Sequence, residues 1–531
     1  MFKKSSVALD YQGMMFLNWV SLLYFSGMFV RKKKNKSGVI SIQIIDKSSG
    51  SYQLYRTIGS SGDAAEVDRL FKEGKKEIER ITGQQKLSFD TDKEKEFVDT
   101  FFNGIEEFKL VGPELVLGKI FDEIGFNKIP DELFRHLVIT RLVYPVSKLK
   151  TVDYIFKYKG DTLQIQNIYR YLDKLKENYI DQIQQISYQH TLKILEDHLS
   201  IVFYDVTTLY FEASDEDDFR KAGFSKDGKH QQPQIVLGLL VSKQGYPLVY
   251  EVFEGSTFEG HTMLPVIETF KKKYHLEKLV VVADAGLLSS KNIQALIDQN
   301  YEFILGGRLK NESRIIQQKV LSLHLEDGQS SVINKEDDQK LVVSYSVQRA
   351  KKDAFNRKRG LQKLEKALAT GRLTKQHINN KGYNKYLKLD GQINIHIDYE
   401  KFKEDEQWDG LKGYLTNAKL SKELVIESYK QLWFIEKAFR ISKTDLRIRP
   451  VFHYRKRRIL AHICIAFTAY KIYKELERQL NDRKAGISPE KAIDILKTIY
   501  SLTIITPYSE TKHTRLLIKN EEQKSILKVF N

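Results

Sequence analysis

An aspartate stands in the middle of an apolar strand. In IVFYDVTTLYFE, residues 201–212, Asp205 follows Ile201, Val202, Phe203 and Tyr204 and precedes Val206. A carboxylate placed there is costly unless it is ionically satisfied, so the fold has to bring a compensating group to it. The text that follows narrows the choice. IVLGLLVSKQGYPLVYEVFEG has the pattern of a hairpin turning at Gln244-Gly245. A helical pattern covers residues 261–274, LEKLVVVADAG is a buried strand ending in Asp284, SKNIQALIDQ is a helix, and YEFILGG is another apolar strand.

Three strands, a helix, then alternating strand and helix is the order of an RNase H-like α/β fold, a mixed sheet flanked by helices. A charged segment with its own strands, LVVSYSVQ and INIHIDY, interrupts this order, and GLKGYLTN with the helix around Glu436 resumes it. Upstream, VISIQIID and SYQLYRTI flank a Ser-Ser-Gly turn and predict a β-hairpin, after which the pattern is mainly helical. The expected organisation is an N-terminal hairpin-plus-helix region over 28–112 and a helical region over 113–198, a candidate for DNA-end binding. A catalytic core over 199–307, a β-containing insertion over 308–407, the rest of the core over 408–478 and a tail over 479–531 complete the chain.

Three acids fall where such a fold would gather them. Asp205 is within the first strand, and Asp284 ends the fourth, where open α/β sheets bind ligands. Glu436 comes from a helix that can pack beside the first strand. Taken singly each has an ordinary explanation: a loop cap for Asp284, a solvated helix position for Glu436. Together they suit Mg²⁺ (or Mn²⁺), hard ions that bind a few carboxylates and keep water and phosphate oxygens. Two ions about 3.5–4 Å apart can activate an attacking oxygen and stabilise a leaving one. The formal net charge of +17, from 86 Lys and Arg against 69 Asp and Glu, favours a polyanionic partner, nucleic acid before a membrane surface.

In ESYKQLWFIEKAFRISK, Tyr429, Glu436 and Lys443 recur every seven residues. On one continuous helix they would drift by only about 20° per heptad and line one face, over roughly 20 Å at 1.5 Å per residue. That row suits a phosphodiester strand, with a ring for a base or sugar, a carboxylate for metal and a cation for phosphate. The spacing Tyr429, Leu432, Glu436, Lys443 resembles the Tyr-Arg-Glu-Lys signature of DDE transposases in the IS-four superfamily of bacterial insertion sequences, with leucine where the signature has arginine. FYDVTTLYFE and VVADAGLL resemble the two aspartate motifs of such enzymes. AFRISKTDLRIRPVFHYRKRRILAHICIAF is similar to the branch of long insertion-sequence transposases with RPVFH-type motifs.

The resemblance implies a cut-and-paste transposase. Asp205, Asp284 and Glu436 would be its catalytic and metal residues, and Tyr429 and Lys443 would hold the terminal nucleotides. Lys437 and Arg440 would partly replace the missing arginine, and Arg455, Lys456, Arg457 and Arg458 are expected on phosphates. A basic helix around residues 351–375 of the insertion is expected on DNA. The partners implied are double-stranded DNA, as terminal inverted repeats and target, and a second copy in a paired-end homodimer. Competing readings are an RNase H-like nuclease without strand transfer and an inactive DNA-binding relic. A glycoside hydrolase is disfavoured by the basic excess and only three tryptophans.

Cys464 is the only cysteine, which excludes an internal disulfide and fits a reducing cytoplasm. His453 and His462 have no cysteine partners, which disfavours zinc. The apolar run over residues 14–30 lies between Lys4 and Arg31; it is interrupted by Asn18, Ser21, Ser26 and Gly27. Residues 1–27 are expected to be a non-native upstream extension before a start at Met28, rather than a membrane anchor, and no membrane partner is expected.

Overall fold

The computed structural model describes residues 27–82, 91–196, 199–213, 215–225, 228–229, 231–276, 278–287, 289–379, 382–390, 394–506 and 509–530. The expected upstream extension therefore lies outside the described residues, apart from Gly27. Among the described residues no helix is long and apolar enough to cross a membrane.

The chain divides into two compact units, residues 1–104 and 105–531. In the first, strands β1 (Met28–Lys34), β2 (Ile40–Asp46) and β3 (Gln53–Ser61) form an antiparallel sheet in that order, followed by helices α1 (Ala64–Thr82) and α2 (Thr91–Asn103). The expected hairpin is β2–β3. MFVRKKK supplies a third strand, because its Val30 packs, partly buried, against α1 while most of its lysines and its arginine stay exposed. Ile42, Val67 and Leu70 form the core beneath that sheet.

The second unit opens with β4 (Ile105–Leu110) and helices α3 (Lys119–Ile124), α4 (Glu132–Val143), α5 (Lys148–Lys159), α6 (Ile165–Asn178) and α7 (Ile180–Ile194). The core sheet then begins with β5 (Ile201–Tyr210), β6 (Gln234–Ser242) and β7 (Pro247–Glu254) as an antiparallel meander. Gly245, at φ 81°, makes the predicted turn between β6 and β7. Helix α8 (Met263–Tyr274), β8 (Val280–Ala283), α9 (Ser290–Asp298) and β9 (Glu302–Gly307) follow, with β8 and β9 added parallel to β5.

The order β7-β6-β5-β8-β9 is the RNase H-like mixed sheet that the sequence pattern predicts. Beyond β9 the sheet continues through β14 (Leu411–Thr416), β11 (Lys340–Tyr345) and β10 (Ser330–Asn334), which makes it eight-stranded. The first hairpin after residue 308 thus extends the core sheet. The rest of that segment comprises α10 (Arg314–Leu321), α11 (Val347–Ala369), the pair β12 (Leu387–Asp390) and β13 (Asn394–Ile397), and α12 (Tyr399–Glu404).

One face of the sheet is covered by α8 and α9, with Met263, Ile267, Phe270 and Leu296 packed on Val202, Tyr204 and Val281. The other carries α13 (Lys422–Lys430), α14 (Trp433–Thr444) and α15 (Lys456–Asp482), whose Ile435, Ala438 and Ile463 share a core with Phe203 and Val282. The buried Lys471 of α15 donates to Ser187 O of α7 at 3.0 Å and so ties two helices together. Helices α16 (Pro489–Leu496) and α17 (Glu521–Phe530) and strands β15 (Tyr500–Ile505) and β16 (Lys512–Leu517) close the unit, with β15 pairing both β16 and β4.

Candidate active site

Side chains alternate across a strand, so neighbours in sequence show which way an acid points. In β5, Val202, Tyr204 and Val206 belong to the α8–α9 face, while Phe203 and Leu209 belong to the α14–α15 face. Asp205 shares the second face. In β8, Val281 and Ala283 face α8, and Val280 and Val282 face the other way, so Asp284 continues on the same side as Asp205. Tyr204 and Ala283 are the last registered pair of these parallel strands. The two aspartates therefore follow one another across the sheet at one height, on strands about 4.8 Å apart. Asp205 is half-buried, with Oδ1 accepting from Val206 N at 2.7 Å, and Asp284 is exposed.

Helix α14 packs on β5 and β6 of that same face and carries the exposed Glu436 in its first turn. It is not continuous with the helix that carries Tyr429. The expectation of one helix with Tyr429, Glu436 and Lys443 in a single row is corrected: α13 ends at Lys430 and α14 begins at Trp433. Between them the bonding tightens to three-residue turns, Leu432 N to Tyr429 O at 3.1 Å and Phe434 N to Gln431 O at 2.9 Å. The break lets Leu432 bury, at 7% exposure, in the core with Ile435.

Tyr429, released from that row, turns to the sheet. Its Oη donates to Asp284 Oδ1 at 2.9 Å, and its ring meets Tyr414 edge-on at 5.1 Å. Burial, and then the carboxylate of Asp284, push the phenol far above its ordinary value, so it remains a donor. A side chain at Gly306 of β9 would meet Tyr429 Oη at 2.4 Å, so the glycine is what leaves room for this contact.

Sequence reasoning missed Lys412. It lies on β14 two residues before Tyr414, on the same strand face, with Nζ 4.5 Å from the Tyr429 ring centroid. Burial, with Arg349 second, pulls its ammonium below the ordinary value, while Asp284 and Glu436 pull the other way. One cation thus feels two of the three acids. The signal was available: in GLKGYLTN a lysine alternates with Tyr414, as Asp205 alternates with Phe203.

Asp284, Tyr429 and Lys412 line a cleft of about 830 Å³ between β8, β9, β14 and α11, whose lining does not include Asp205 or Glu436. Eight Lys and Arg side chains line it against four Asp, which makes it electropositive. Arg308 donates to Ala285 O at 2.7 Å, next to Asp284. The basic helix expected near residues 351–375 is α11, and its Arg349, Arg359 and Lys363 form one wall.

The remaining expected phosphate contacts divide. Lys443 stands on the last turn of α14, and Arg440 is exposed on the same helix. Lys437 is bonded to Glu477 of α15. Arg455 caps α15, and Lys456 lies over the Phe219 ring at 4.6 Å. Arg457 and Arg458 both reach Asp173 of α6 at 2.9 Å, so part of their charge is spent on joining two helices.

Among the described residues no three His, Cys, Asp or Glu side chains already converge as a metal-holding group. The donor chemistry of Asp205, Asp284 and Glu436 nonetheless fits a hard divalent ion, since all three offer only carboxylate oxygens.

A family model described as "Transposase DDE domain" matches residues 196–472, just over half of the chain. No curated protein matches. Among solved structures the chain is similar to one described as "Cryo-EM structure of piggyBac transposase synaptic complex with hairpin DNA". The TM-score is 0.37 and the identity 10%, with 75% of this chain and 79% of that chain covered.

Proposed function

The chain belongs to the transposase DDE domain family, and from that premise we propose that it is an insertion-sequence transposase that cuts DNA at its element's ends and joins the freed strand to target DNA. The observation that carries this reading is the pairing of Asp205 and Asp284 on adjacent parallel strands, under the helix that bears Glu436. These three residues would hold two divalent ions, Mg²⁺ or Mn²⁺. Such ions supply an activated attacking oxygen and charge stabilisation at the leaving one.

The protein's own residues do the rest. Tyr429 orients the Asp284 carboxylate through its hydroxyl. Lys412 offsets the mutual repulsion of Asp284 and Glu436 and would turn to a phosphate oxygen when DNA enters. Arg308, Arg349, Arg359 and Lys363 would steer the duplex into the cleft, with Lys443 and Arg440 on the strand beyond Glu436. Assignment to the IS-four superfamily rests on the Tyr429–Glu436–Lys443 spacing. Leu432 departs from it, and its burial takes that position out of DNA contact, which leaves Lys412 as the replacement cation. A paired-end homodimer and a hairpin intermediate belong to the same reading.

The test is end cleavage. Purified protein is incubated with labelled duplexes carrying the gene's flanking ends, with Mg²⁺ or with EDTA, beside Asp284→Ala. Metal-dependent nicking at the element boundary, lost in the variant, is expected. Equal cutting of unrelated DNA would replace this reading with a general nuclease, and binding without cleavage would replace it with an inactive relic.

A further inference from the structure

Most of the cations that the larger unit buries have oxygen partners. Lys474 is bonded to Glu477, Arg220 to Asp217 at 2.7 Å, and Lys471 to Thr191 and the Ser187 carbonyl. One group departs from this. Arg141, on the last turn of α4, and Lys148, the first residue of α5, are each 5% exposed, and His453 is 8% exposed. His453 lies on the segment 445–455 that joins α14 to α15, with its ring centroid 5.4 Å from that of His462 on α15.

The hydrogen bonding of this group is sparse. Arg141 reaches the Leu446 carbonyl through Nη1, at 3.5 Å, and its Nε is buried with no partner. His462 donates through Nε2 to Ile448 O at 2.9 Å, and its Nδ1 is likewise buried without one. Burial brings the Arg141 guanidinium down to about 10 and, with Arg141 second, takes the Lys148 ammonium well below its ordinary value. Burial, then Lys148 and Arg141, hold His453 down to about 3. Among the described residues no carboxylate acts on any of the three to offset this. Lys148 also stands at a helix N-terminus, where the macrodipole opposes a cation and favours an anion.

Two buried cations with unmade hydrogen bonds and no acid beside them are costly until an anion joins them. The guanidinium fork and a helix N-terminus both suit phosphate oxygens, and an arginine with a lysine balances a phosphate dianion. We propose that Arg141, Lys148 and His453 form an oxyanion site that takes one phosphate group, either free orthophosphate or a phosphodiester of bound DNA. The phosphate ties α4 and α5 to the turn that follows the helix bearing Glu436, because Arg141 bonds Leu446 of that turn and His453 belongs to it. The site lies apart from the three acids, and its first test uses no DNA, so it stands or falls separately from the transposase reading.

The experiment uses the full chain. Thermal unfolding is followed with and without low-millimolar orthophosphate, at ionic strength held constant with chloride, for wild type, Lys148→Met and Arg141→Met. Orthophosphate is expected to raise the wild-type midpoint by about 2 °C or more and to leave both variants unmoved. Without phosphate, Lys148→Met should be at least as stable as wild type, since it removes a buried charge and keeps the stem. If Arg141→Met does not fold, Lys148→Met alone decides. The second arm measures duplex affinity against salt concentration. A phosphodiester in the site would make that dependence shallower in Lys148→Met by about one phosphate contact. A midpoint rise lost in the variants, with the salt dependence unchanged, assigns the site to free phosphate; a shallower salt dependence assigns it to DNA. With the salt dependence unchanged, a midpoint that does not rise, or that rises equally in wild type and variants, overturns the inference.

Discussion

At the scale of single residues, the site is held by contacts that each involve a few atoms. Tyr429 is the clearest: its hydroxyl is aimed at Asp284 Oδ1, and Gly306 makes the space for it. Removing that hydroxyl in Tyr429→Phe should weaken metal loading by about 10–100-fold, the usual cost of losing a group that orients a ligand. A Mg²⁺ titration of cleavage would show this as a raised midpoint with rate largely recovered at saturation. A rate lost at every Mg²⁺ concentration would give Tyr429 a different role. Leu432 makes the complementary point. Writing the signature arginine back, as Leu432→Arg, puts a charge into the core shared with Ile435 and should destabilise the protein by about 3 kcal/mol or more. Thermal unfolding checks this, and a variant as stable as wild type with higher cleavage would contradict it. Asp205 and Asp284 were legible in the sequence because a carboxylate in an apolar strand is conspicuous. Lys412 left a weaker mark, a lysine alternating with Tyr414, because a lone lysine in a short strand looks like an edge residue until its neighbours are known.

At the scale of elements, the strand order was legible and the junctions were not. Alternation and turn residues were enough to mark β5 to β9. Heptad spacing was not enough to show that α13 and α14 are separate, because the break depends on which side of Leu432 finds a core. The wall of the cleft has its own anchor at Asp405, just after α12. Burial would raise its carboxyl, but hydrogen bonds from Lys310, Lys385 and Tyr386 outweigh that and bring it down to about 2. A carboxyl lowered by folding stabilises above its unfolded value near 3.8, and that contribution is lost as pH falls through the folded value. Amide protection across residues 394–409, taken relative to intrinsic exchange at each pH, should therefore fall between about pH 5 and pH 2. In Asp405→Asn the lower protection should be present already at neutral pH. An acid response that survives unchanged in that variant would place its origin elsewhere.

At the scale of the whole molecule, α15 is the structural centre of the larger unit, and Cys464 lies within it. Burial pushes its thiol up to about 12, and no part of the residue is exposed. The native protein should leave Cys464 unmodified by a thiol reagent at pH 8, and modification should appear only as denaturant unfolds the unit. Mass spectrometry along a urea series tests this, and labelling well before loss of helical signal would show that α15 opens locally. What the sequence by itself determined is the RNase H-like strand order and where Asp205 and Asp284 fall on it, because period and polarity are properties of short segments. What only the tertiary structure decided is which groups meet: Tyr429 with Asp284, Lys412 over the Tyr429 ring, Arg457 and Arg458 on Asp173. Those contacts join residues far apart in the chain, and they form wherever packing closes the distance between them.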